Sequence, residues 1–139
     1  MSPSVPKPSP RPTKARKPVR RSNAKRRARE FRRVYFSVER VEFVKRLPCA
    51  SCGIVGFSEN AHIEGHGTGY KAGYQRIAPL CGAGVYRTNV VTGKWEPSEG
   101  CHRAYDRHRL PNFPKDKAEA AAIATEAAWL AFHSSTENA

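Results

Sequence analysis

The side chains able to do chemistry crowd into one stretch, residues 49 to 106, which reads Cys49-Ala-Ser-Cys52, Ala61-His62, His66, Cys81, Cys101-His102 and Asp106. Two residues between Cys49 and Cys52 let both sulfurs reach one ion, and Cys81 and Cys101 complete a set of four thiolates, the donor set of structural zinc. The bland alternative is four unligated core thiols, since free cysteine is often simply buried. His62 is of a different kind. An imidazole, with an ordinary pKa near about 6.5, can take a proton from water at cellular pH. His102 and Asp106 stand four apart, so on a helix they share a face and can hold one divalent ion between them. Asp106 could equally form a surface ion pair with Arg103 or Arg109.

The 139-residue chain has room for one small domain plus extensions, and a domain of that size gains much from an added staple. Its formal charge of +13 is unevenly spread: residues 1–33 hold 13 Lys and Arg against the single acid Glu30, while the remainder is close to neutral. The basicity therefore belongs to a tail. No stretch is apolar enough to cross a membrane or to act as a secretory signal, so a soluble, cytoplasmic protein is expected. In a secreted chain four cysteines would suggest two disulfides; in a reducing compartment the Cys-x-x-Cys pair reads as zinc.

Several elements must position these groups. Residues 1–22, with six prolines and no large aliphatic side chain, are expected to be disordered. The run Ala24–Arg33 has helix formers without Pro or Gly, able to become helical against DNA or against the body of the protein. Arg20, Arg21, Lys25, Arg26 and Arg27 are candidate phosphate contacts, against the alternative of a solvated tail. Residues 37–47 read as a short amphipathic helix, capped by Ser37, with Val38, Val41, Val44 and Leu47 at helical spacing. A strand ending near His62, a Gly-rich loop carrying His66 and Lys71, and a second strand ending at Cys81 follow. Lys71 is a further candidate phosphate contact, since backbone N–H groups of such a loop can approach an anion. Residues 82–100 suggest an inserted β-hairpin whose Arg87, Lys94 and Trp95 could touch nucleic acid, or whose Tyr86 and Trp95 pack it onto the domain. A helix from Cys101 to Leu110 and an Ala-rich helix over 115–133 complete the domain. The second helix should pack through Ile123, Ala127 and Leu130, with Ala122 and Trp129 on an adjoining face; residues 134–139 should fray.

The ordered set Cys-x-x-Cys, Ala61-His62-Ile63, Gly67-Thr68-Gly69-Tyr70-Lys71-Ala72, Ile77-Ala78-Pro79-Leu80-Cys81 and Cys101-His102-Arg103-Ala104-Tyr105-Asp106 resembles the HNH (ββα-metal) nucleases of phages and prophages. It is similar in particular to the RecA-dependent recombination-enhancement type. The resemblance covers about residues 34–132 and implies an α+β fold: a small zinc-stapled ββα-metal core, residues 34–133, with flanking helices and a basic tail over residues 1–33. It implies structural Zn²⁺ on Cys49, Cys52, Cys81 and Cys101, a general base at His62, and catalytic Mg²⁺ or Mn²⁺ on His102 and Asp106. Two departures stand out. Ala61 occupies the place of an acidic or histidine metal ligand, leaving Glu59, Asn60 or water as candidates, and 19 residues separate Cys81 from Cys101 where relatives usually have two.

The functional expectation is thus a metal-dependent endonuclease hydrolysing DNA phosphodiester bonds in phage recombination, repair or processing, with little sequence readout and a RecA-type recombinase as partner. Its competitor uses the same cysteines and tail but no base: a non-catalytic zinc-binding DNA or recombinase adaptor.

Overall fold

A computed structural model describes residues 2–15, 23–63 and 72–137. Residues 2–15 are exposed and form no helix or strand, as their proline content dictates. Two antiparallel strands, β1 (Ser58–His62) and β2 (Ile77–Cys81), form the centre, paired from Ser58 with Cys81 to His62 with Ile77. A second antiparallel pair, β3 (Tyr86–Thr88) and β4 (Trp95–Pro97), is the inserted hairpin, shorter than the run of β-formers suggests. Around them lie α1 (Ala24–Tyr35), α2 (Val38–Arg46), α3 (Gly100–Asp106) and α4 (Lys115–Glu137). Among the described residues the architecture is therefore α+β, with α3 following the central strand pair after the hairpin.

Strand β2 is buried throughout, because α3 and α4 pack on it and β1 pairs with it. Its Ala78, Leu80 and Cys81 join Cys49, Ala61, Ile63, Val85, Cys101, Phe113, Ala118 and Ala122 in one core. Burial of so few large side chains leaves a small hydrophobic reserve, which makes an extra cross-link valuable.

Helix α1 carries the basic run of the tail onto the body of the protein. The Asn23 side chain accepts from the Lys25 backbone N–H and starts the helix, and buried Val34 anchors its far end. The helix formers of Ala24–Arg33 are thus helical, and the helix runs two residues further, to Tyr35. In α2, Ser37 caps as expected by accepting from the Arg40 N–H. Arg40 itself is fully buried, donating to Glu126 of α4 at 2.7 Å and lying 5.2 Å from the Tyr74 ring centroid.

The packing face of α4 also differs from the expectation. Ala118, Ala122, Thr125 and Trp129 are buried, whereas Ile123 and Leu130 are 67% and 54% exposed and Ala127 faces out with them. The reason is space: small residues let α4 approach β2 closely, and Trp129 then fills the gap beside Phe36 and Phe43. The helix runs on to Glu137, beyond the expected end at 133.

Candidate functional site

The four cysteine sulfurs lie within 4.8 Å of one another although they come from three separate segments. Cys49 and Cys52 sit on the loop after α2, where Pro48 has ended the helix and Gly53, at φ +78°, completes the tight turn. Cys81 ends β2 and Cys101 opens α3. These last two segments approach closely because residue 100 lacks a side chain: a Cβ on Gly100, itself at φ +80°, would collide with the Gly82 and Cys81 carbonyls.

Backbone donors are aimed at the sulfurs. The N–H groups of Cys52 and Cys81 point at Cys49 Sγ at 3.5 and 3.4 Å, and that of Cys101 at Cys81 Sγ at 3.3 Å. A tetrahedral zinc ion with bonds of about 2.3 Å requires sulfur to sulfur edges of about 3.8 Å. The Cys52 to Cys81 edge is 3.8 Å. The donor set, the compactness and the orienting N–H groups all fit a structural zinc ion on Cys49, Cys52, Cys81 and Cys101.

The local electrostatics lean the same way. A hydrogen bond with the Cys101 thiol, helped by backbone N–H groups, pulls Cys49 down to about 4, while that same bond and burial hold Cys101 well above the ordinary thiol range. Burial also pushes the Cys81 thiol up. Cys49 and Cys101 thus share a proton that a cation would displace.

Beside this cluster opens a pocket of about 260 Å³ lined by Glu59, Gly82, Ala83, Glu99, His102, Arg103 and Asp106. His102, on the first turn of α3, presents Nδ1 to Glu59 Oε2 at 2.7 Å and Nε2 to Asp106 Oδ2 at 3.5 Å. The helical spacing does bring His102 and Asp106 together. Glu59 joins them from β1 because strand residues alternate, so residues 59 and 61 share the face toward α3. Ala61 on that face is fully buried and offers no ligand, and Glu59 projects into the space from the next position along.

His62 is not brought to this group. Alternation sends it to the opposite face of β1, with Asn60, whose amide donates to the Val41 carbonyl of α2. The ring of His62 meets α1 instead, with Nε2 3.0 Å from the Val34 carbonyl and the Tyr35 ring edge-on at 5.3 Å. A carbonyl only accepts, so Nε2 carries the proton and Nδ1 is the basic atom of the neutral ring. The expected arrangement, with His62 across from His102 and Asp106, is therefore not the one adopted: His62 does not line the pocket.

No family model, curated protein or solved structure matches the chain.

Of the candidate phosphate contacts, Lys25, Arg26 and Arg27 lie exposed on α1, and Arg20, Arg21 and Lys71 fall outside the described residues, as does His66. The hairpin aromatics do not pack onto the domain: Tyr86 is 52% and Trp95 69% exposed, their ring centroids 6.3 Å apart. Arg87 points inward from the other face, onto the sulfurs, where its Nη2 lies 2.9 Å from Cys52 Sγ. The period of two in β1 could have singled out Glu59. Nothing in the sequence marks Arg87 as a partner of the cysteines.

Proposed function

We propose that this protein is a zinc-stapled, metal-dependent endonuclease of the HNH type, acting on DNA through phosphate contacts. The observation that carries the reading is His102 bracketed by Glu59 and Asp106 in a solvent-open pocket against the four-cysteine cluster. One imidazole and two carboxylates are a donor set suited to Mg²⁺ or Mn²⁺. Bound there, such an ion would stabilise charge on a phosphodiester oxygen and on the leaving 3′ oxygen. The chain's own residues do the rest. Asp106 and Glu59 orient the His102 ring, and the exposed Lys25, Arg26 and Arg27 hold the phosphate backbone without reading bases.

The position of His62 also favours a second reading, a non-catalytic zinc-binding DNA or recombinase adaptor. There the imidazole docks α1, donating to the Val34 carbonyl.

Cleavage separates the two. The full chain is incubated with single-stranded, duplex and branched DNA, with and without RecA, in the presence and absence of Mg²⁺ or Mn²⁺. The nuclease reading expects divalent-dependent products that vanish in His102→Ala, with zinc content and melting unchanged. DNA binding without cleavage under every condition would leave the adaptor.

A further inference from the structure

The hairpin between Cys81 and Cys101 brings one cation onto the sulfur cluster. Arg87 Nη2 lies 2.9 Å from Cys52 Sγ, 3.3 Å from Cys81 Sγ and 3.6 Å from Cys101 Sγ. Its Nε is buried without a hydrogen-bond partner, and among the described residues no carboxylate pairs with it. The cross-strand neighbour Glu96, the natural candidate, is engaged by the Asn89 amide instead. A half-buried guanidinium is costly unless something compensates its charge, and among the described residues it is the three sulfurs that accept from it.

We infer that Arg87 is a charge-neutralising positioning residue of the zinc centre. Four thiolates around one Zn²⁺ leave a surplus of two negative charges in a partly buried place, and the guanidinium offsets one of them. The two-stranded geometry explains how. Alternation along β3 turns Tyr86 and Thr88 outward and Arg87 inward, and the turn N–H groups of Val91 and Thr92 on the Asn89 side chain hold the hairpin closed. Cys52 is the exposed cysteine of the four and receives the shortest of the three contacts. The hairpin thus guards the thiolate that solvent and competing chelators reach first.

This inference depends on zinc at the cysteines and is independent of the nuclease reading. Its test uses the full-length zinc protein and follows metal transfer to the chromogenic chelator 4-(2-pyridylazo)resorcinol, with Co²⁺ substitution to report the ligand set. Removing an outer partner of a metal site typically costs about 10- to 100-fold in affinity. Arg87→Gln should therefore weaken zinc binding by about that factor and speed its release, and Arg87→Lys should recover most of the loss. The Co²⁺ spectrum should stay that of four thiolates in all three proteins. Wild-type release from Arg87→Gln, or Arg87→Lys as weak as Arg87→Gln, would overturn the assignment. Should Arg87→Gln fail to fold, the wild type decides alone: with ¹¹³Cd in the site, one arginine guanidinium proton should show scalar coupling to the metal. The absence of such coupling would overturn it equally.

Discussion

The sulfur cluster and the pocket beside it are built in opposite ways. Cys49, Cys81 and Cys101 are buried and fixed by main chain, each sulfur position following from where a strand, a turn or a helix ends. In the pocket, Glu59 and Asp106 have side chains 53% and 58% exposed and His102 25%, and their mutual contacts depend on rotamers rather than backbone. A ligand set locked by backbone belongs to folding, because the ion and the tertiary structure then form together. A set of open, adjustable side chains suits a ligand that arrives after folding. The two sites share elements, since Cys101 and His102 are neighbours on α3, yet they should respond to substitution very differently.

The most damaging change should be at the cluster. Cys81→Ser, or removal of zinc by a strong chelator, should abolish the cooperative thermal transition, because the ion would cross-link three segments around a core with few large side chains; an unchanged melt would break the contrast. Next comes the one buried ion pair, among the described residues, outside both sites. Glu126→Ala strands the fully buried Arg40 cation and should cost about 3 to 5 kcal/mol in chemical denaturation, nearer the lower figure because Glu126 keeps some exposure. Zinc content should not move. Loss of zinc together with stability would show that the helical clamp, not the staple, holds the cysteines in place.

At the pocket the expectation reverses. Glu59→Gln should leave stability within about 0.5 kcal/mol, as for other exposed sites, while divalent-dependent cleavage falls sharply. A large drop in stability would mean that the pocket, too, is structural. The smallest effect should come from α1: replacing Lys25, Arg26 and Arg27 together by alanine should weaken DNA binding and lower its salt slope by about 3, near 0.9 for each phosphate no longer neutralised. An unchanged slope would remove α1 from the DNA-binding surface.

Much of the cluster is legible in the sequence, because ligand spacing is a local property: Cys49-x-x-Cys52, the proline before it and Gly53 after it dictate the turn. The strands ending at His62 and Cys81, the hairpin and the two last helices are legible for the same reason, through period and punctuation. What escapes is what depends on which face meets which neighbour. His62 and Glu59 are three apart on one strand and so point opposite ways, a fact that periodicity contains but a motif order conceals. The inward face of α4 is hard to read because alanines, not the larger Ile123 and Leu130, set the distance of closest approach. The helix formers of α1 are legible, but its docking is not, since the few residues that anchor it, Val34 and Tyr35, lie at its last turn beyond the basic run. Arg87 cannot be anticipated at the sulfurs, because its role arises only when a distant hairpin folds back on the ligands.

The central claim is that one zinc ion sits among four sulfurs and thereby holds α3 against β2. X-ray absorption on the purified full-length protein, with metal content measured on the same sample, tests it most directly. The account expects one zinc per chain with a first shell of four sulfurs at about 2.3 Å. A chain that is folded without zinc, or whose zinc carries nitrogen or oxygen in place of any of the four sulfurs, would contradict it.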